Sequence, residues 1–77
     1  MARVCVRARA VGVAEQSLEL ADGASSIACV EALSAQHPQL VRLLPRCALA
    51  INGNYVQESV QLADGDEVAV LPPMSGG

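Results

Sequence analysis

From Arg3 to Ala10 the chain alternates, with Val4, Val6, Ala8 and Ala10 on one side and Arg3, Cys5, Arg7 and Arg9 on the other. A period of two is the mark of a strand with one buried face, because on a helix the same residues would scatter around the axis. Such a strand needs a sheet to sit in, and 77 residues can fill one core and no second one. Gly12 allows a turn, and Ser17 to Leu20 (SLEL) alternates again, so the first two strands are expected to form a hairpin. Ala21 to Gly23 (ADG) breaks the chain after them.

The pattern then changes period. Ser25 or Ser26 can cap a helix, since a serine hydroxyl accepts from a free backbone N–H of the first turn. Ile27, Val30 and Leu33, flanked by Cys29, give an apolar stripe at helical spacing, with Ser34 falling on the same face. Pro38 ends this helix. The stretch it opens, PQLVRLL, offers a short second turn that places Leu40, Val41, Leu43 and Leu44 over one end of the core until Pro45 stops it. Ala48 to Ile51 (ALAI) reads as a third strand, Asn52 to Asn54 (NGN) as a tight hairpin turn, and YVQE as the return strand. A second LADG, Leu62 to Gly65, precedes a final strand from Glu67 to Leu71. Strand, strand, helix, strand, strand, strand predicts an α+β chain of the β-grasp (ubiquitin-like) class, a mixed sheet of about five strands over one main helix. The valine-rich last strand is expected beside the first, in the middle of the sheet.

Composition narrows what such a domain does. Hydrophobic residues make up 52% of the chain, yet Tyr55 is the one aromatic, so the core is aliphatic and its stabilisation modest, which suits a chain that works with a partner. The net charge is −3 and all five basic residues are arginines, so there is no basic footprint for nucleic acid. No apolar run approaches the ~20 residues of a membrane span and no signal-peptide core is present, which reads as a soluble, cytoplasmic protein. Cys5, Cys29 and Cys47 are odd in number and form no CxxC pair, which argues against a disulfide framework or a metal site; they read as small hydrophobes. His37, alone before Pro38, reads as a helix-end residue.

The last eight residues, VLPPMSGG, carry the chemistry. Residues 1–71 form the expected domain and 72–77 a flexible Gly-Gly tail. Pro72 and Pro73 fix φ and favour an extended exit. Six residues beyond Leu71 at ~3.3 Å each reach about 20 Å into another protein. Gly76 and Gly77 have no side chains, so the tip fits a narrow slot and presents a carboxylate. A carboxylate is ionised at pH 7 and a poor electrophile, so it needs ATP-dependent conversion to an acyl-adenylate before a nucleophile can attack. Sulfur would give a thiocarboxylate and a lysine an isopeptide; the tail alone leaves both open.

Asp64 to Gly77, DGDEVAVLPPMSGG, resembles the closing motif of the small subunit of molybdopterin synthase, in the MoaD/ThiS group of ubiquitin-like sulfur carriers. HPQL after the helix and AINGNYV are similar to that family as well. The resemblance implies a non-catalytic carrier with no bound cofactor. An adenylyltransferase of the ubiquitin-activating type would use ATP on Gly77, and a persulfide donor would leave sulfur there. The tail (Pro72, Pro73, Met74, Ser75, Gly76) would then enter the large subunit of a heterotetramer and pass sulfur to cyclic pyranopterin monophosphate, for molybdenum cofactor biosynthesis. Where the family usually carries an apolar or aromatic pair in the first strand, this chain has Arg7, sharing the outward, partner-binding face with Ala69 and Leu71. Arg7 would pair with an acid of the partner or lie flat with its stem packed. Rival readings are a carrier for thiamine, cysteine, siderophore or tRNA thiolation, a ubiquitin-like modifier attached through Gly77, and a β-grasp ferredoxin, against which the scattered cysteines argue.

Overall fold

A computed structural model describes residues 1–73. Its elements are β1 (Ala2–Arg7), β2 (Gln16–Leu20), α1 (Ser26–Gln36), β3 (Ala48–Ile51), β4 (Asn54–Val56) and β5 (Glu67–Leu71), with 3-10 turns at Arg9–Val11, Pro38–Leu40 and Leu44–Arg46. The strand order is β2-β1-β5-β3-β4. β1 runs parallel to β5 and every other pairing is antiparallel, so the sheet is mixed, as expected, and the last strand lies at its centre. This is a β-grasp, ubiquitin-like fold.

The inner face of the sheet is aliphatic. Val4, Val6, Val68 and Val70 are fully buried in the two central strands, and Leu18, Leu20, Leu40, Leu44 and Leu62 close over the sides. β1 is shorter than its alternation suggests. The chain curls at Arg9–Val11, where Gly12 caps the turn with φ 91, so Ala8 is still buried but Ala10 is exposed.

The helix is rotated from the stripe its spacing suggests. Ser26, Cys29 and Leu33 face the core, Val30 is half-buried, and Ile27 stands 57% exposed. Alanines and serines on several sides leave the helix without a decisive apolar face, so contacts at its N-terminus set the rotation. Ser25 caps it, its hydroxyl accepting from the Ala28 N–H at 3.2 Å. Ser26 is buried and is pinned to the loop before Leu62: its hydroxyl accepts from Val60 N–H at 3.1 Å, while its own N–H donates to the Val60 carbonyl at 2.7 Å. With Ser26 held inward, positions three and seven residues on must also point inward. His37 caps the C-terminus, its Nε2 3.3 Å from Oε1 of Gln16 on β2. Beyond it the chain makes two 3-10 turns and not one further helical turn; Pro45 lies inside the second, and Val41 is exposed. Burial of Cys29 pushes its thiol up to about 11.

The two hairpin signals are kept, with Asn52 and Gly53 both at positive φ (51 and 86) between β3 and β4. The return strand stops at Val56, short of the expected Glu58. Asn52 does more than turn. Its N–H donates to Glu67 O at 2.8 Å, its Oδ1 accepts from Glu67 N at 2.9 Å, and its Nδ2 donates to Asp66 Oδ1 at 3.0 Å. On the other side, Asp64 Oδ1 accepts from Arg3 N at 2.7 Å and Cys5 N donates to Asp66 O at 2.9 Å. The acidic DGDE turn thus clips the start of β5 between β1 and β3.

Candidate functional site

The site grows from where β5 ends. Val68 and Val70 anchor the strand inward, which by alternation turns Glu67, Ala69 and Leu71 outward. The pairings set Arg7 of β1 beside Ala69, Ala69 beside Ala50 of β3, and Ala50 beside Tyr55 of β4. One row therefore crosses four strands on the outer face. Its middle is two alanines, its ends a guanidinium and a phenol that is 71% exposed. The next row pairs Leu71 with Ala48, and Pro72 and Pro73 follow as exposed residues directly after it. Small side chains at the centre leave a shallow apolar patch at the root of the segment that leaves the sheet.

Arg7 is not free to meet an acid from elsewhere in the way its sequence position suggests. Its Nε lies 2.9 Å from Glu15 Oε1 and 2.8 Å from Glu67 Oε1. The Glu67 carboxylate first and Glu15 second hold the guanidinium protonated above its ordinary value. Glu15 also accepts from the Cys5 thiol at 3.6 Å, and desolvation, reinforced by the Glu15 charge, raises that thiol too. Arg7 thereby ties the β1–β2 loop to β5, a link across the edge of the patch. Beside it an open groove of ≈ 470 Å³ is lined by Arg7, Arg9, Ala10, Glu15, Ala69 and Leu71.

Of the residues singled out in the sequence, Arg7, Ala69 and Leu71 are brought together on one face, with Pro72 and Pro73 leading away from it. Met74, Ser75, Gly76 and Gly77 lie outside the described residues. Sequence reasoning missed Glu15, Glu67, Ala50 and Tyr55. Their signal is readable only once strand register is known, because Glu15 sits outside both strands of the hairpin and Tyr55 reaches the row through three pairings. Among the described residues no group of His, Cys, Asp or Glu is placed to hold a metal ion, and no helix is long and apolar enough to cross a membrane.

Comparison with known proteins agrees with this geometry. The ThiS family matches residues 6–77. The molybdopterin synthase sulfur carrier subunit of Chlamydomonas reinhardtii is 46% identical over 68 residues, covering 86% of this chain and 82% of that protein. Among solved structures, a molybdopterin converting factor subunit 1 of Pyrococcus furiosus superposes with a TM-score of 0.83 at 28% identity, covering 96% of this chain and all of that one (100%). A complex of subunits 1 and 2 of the molybdopterin-converting factor of Helicobacter pylori superposes with a TM-score of 0.73 at 26% identity, covering 97% of this chain and 99% of that chain. Fold, strand order and sequence together show that the chain belongs to the ThiS family of ubiquitin-like carriers.

Proposed function

We propose that this protein is the sulfur carrier subunit of a molybdopterin synthase. The observation that carries the proposal is its 46% identity, over 86% of the chain, to a protein of that function. In the reaction sequence, the Gly77 carboxylate attacks the α-phosphate of ATP on an adenylyltransferase of the ubiquitin-activating type, giving an acyl-adenylate and pyrophosphate. The outer sulfur of a persulfide donor then attacks the acyl-adenylate and AMP departs, leaving an acyl disulfide; a second thiol attacks the donor's sulfur, breaking the S–S bond to form a new disulfide and release the terminal thiocarboxylate. The tail next enters a large subunit, in an assembly of two small and two large subunits, and gives up its sulfur to cyclic pyranopterin monophosphate. The carrier itself contributes no catalytic group.

The geometry supports this reading in two ways. The central strand β5, hydrogen-bonded on both sides, gives the tail a rigid base. The row Arg7, Ala69, Ala50, Tyr55 offers a small apolar surface beside that base on which the activating enzyme and the large subunit each dock in turn.

The test is intact-mass measurement after incubation with ATP, the cognate activating enzyme and a sulfur donor, followed by addition of large subunit and pyranopterin substrate. A gain matching exchange of one oxygen for one sulfur, lost again as dithiolene forms, is the expected result. A thiocarboxylated protein that leaves the pyranopterin unconverted with its own large subunit would refute the assignment to this pathway.

A further inference from the structure

The open groove of ≈ 470 Å³ beside Arg7 reaches the root of the tail, since Leu71, the last residue of β5, is part of its lining together with Ala69. Its charged lining is Arg7, Arg9 and Glu15, two cations against one anion. Arg7 is satisfied within the molecule, its Nε 2.9 Å from Glu15 Oε1 and 2.8 Å from Glu67 Oε1. Glu67 lies outside the groove lining; counting it balances the four charges, but both carboxylates are held at Arg7 and neither pairs with Arg9. Arg9 is exposed and makes no ion pair and no side-chain hydrogen bond with the described residues. It is the one charge in this groove that the described residues leave unanswered.

The backbone beneath Arg9 is fixed although its side chain is unpaired. Arg9 opens the 3-10 turn Arg9–Val11, and the turn is closed over buried residues: the Val11 and Val13 N–H groups both donate to the Ala8 carbonyl, at 3.0 and 3.1 Å, with Ala8 and Val13 exposed by 0% and 5%. The Gly12 N–H donates to the Arg9 carbonyl at 2.9 Å. Arg7 then ties the far end of the same loop, through Glu15, to the sheet. A long side chain on a fixed root loses less freedom on meeting a partner than one on a loose loop.

A protein that takes the tail comes up to its root and so covers this groove. We infer that Arg9, and not Arg7, is the residue that pairs across that interface, with a carboxylate that the large subunit sets opposite it at the rim of the tail's entrance. The inference rests on the sulfur-carrier reading, which supplies the partner. Arg7 stays on Glu15 and Glu67 in the complex and holds the loop that carries Arg9. A guanidinium offers a carboxylate two parallel N–H donors, so the pair fixes the orientation of the docked carrier as well as adding affinity. A carrier with no cation at this place leaves the partner's acid unpaired, which makes Arg9 a specificity residue.

Calorimetric titration of the full-length carrier into its cognate large subunit, at about 50 mM and about 500 mM salt, tests this. At low salt Arg9→Gln is expected to weaken binding about fivefold, and Arg9→Glu, which sets like charges together, about twentyfold or more. Arg9→Lys, which keeps the charge without the fork, recovers most of the loss, and high salt shrinks all of these differences. Each variant should keep the far-UV circular dichroism of the unsubstituted protein. Arg42→Glu makes the same change of net charge at an exposed position outside the groove and should stay within about twofold. Binding that Arg9→Glu leaves unchanged overturns this inference alone, as does an equal loss from Arg42→Glu, which would mean that net charge and not a pair is at work. An unsubstituted carrier that does not bind its large subunit removes the sulfur-carrier reading and this inference with it.

Discussion

The rotation of α1 is open to direct test by truncating its side chains one at a time. Leu33 is 1% exposed and lies in the core cluster, so Leu33→Ala removes buried methyl groups and leaves a cavity, at a cost of about 3 kcal/mol within the usual 2–5. Ile27 has more than half its surface in water already. Ile27→Ala therefore removes less than half the burial of a core isoleucine and costs about 1 kcal/mol or less. Cys29→Ser, at 1% exposure, places a hydroxyl where the structure offers an apolar surrounding and costs about 1–3 kcal/mol. Against a total of about 4–12 kcal/mol for a chain of this length, Leu33→Ala is a large loss and Ile27→Ala a small one. Urea unfolding of each variant reads these differences. In thermal unfolding, 1 kcal/mol corresponds to about 4–8 °C at this size. If Ile27→Ala and Leu33→Ala cost the same within about 0.5 kcal/mol, the helix presents the face that spacing alone suggests, and the argument from the Ser26 anchor is wrong.

Asn52→Ala removes the side-chain link to Glu67 N–H and puts alanine at positive φ, so it lowers stability by about 1–2 kcal/mol, and Asn52→Gly, which relieves the backbone strain, loses less of it in the same thermal unfolding assay. Asp66 is held below the usual carboxylate range by the Ala63 N–H and then by Asn52. The stability it adds is present above its unfolded value of 3.8 and is lost as pH falls through the lower folded one; the acid side of a urea-midpoint profile should flatten in Asp66→Asn, and an unchanged profile would contradict the assignment. Cys29, buried and with its thiol near 11, should resist iodoacetamide at neutral pH until the protein unfolds, while the half-buried Cys5 and Cys47 react first; peptide mapping decides the order. Ala69→Glu places a charge in the middle of the outer row without entering the core, so folding should persist while thiocarboxylate formation by the activating enzyme falls by about tenfold or more.

How much of this is legible in the sequence depends on the range of the contact involved. The alternation of Val4 and Val6, the Asn52-Gly53 turn and the run from Glu67 to Leu71 are local signals, and β1, the β3–β4 hairpin and β5 stand where those signals put them. Ala10 and Ile27 depart from their local pattern because both are decided by distant partners: the chain curls at Arg9 after the β5 ladder ends, and the helix turns to follow Ser26. The candidate site divides in the same way. Ala69 and Leu71 follow from alternation along one strand, and Arg7 from alternation along another. That Arg7 is tied to Glu15 and Glu67, and that Tyr55 completes the row, depends on register, which no single stretch of sequence states.

The central place of β5 has a consequence for how the protein is made. The β1–β2 hairpin, α1 and the β3–β4 hairpin can each begin to form from neighbouring residues, but β5 alone joins the two halves of the sheet. Its partners in β1 lie about sixty positions earlier (Cys5 opposite Glu67), so the closing step waits for contacts of high sequence separation and is expected to limit the folding rate. During synthesis that step is out of reach until residues 67–71 have left the ribosome. The row from Arg7 to Tyr55 does not exist before then, since Ala69 is its middle member. A nascent or locally unravelled chain displays at most the Ala50–Tyr55 end of the row, without Ala69 and its junction to Arg7, and a partner that reads the whole row reads completion of the fold along with it.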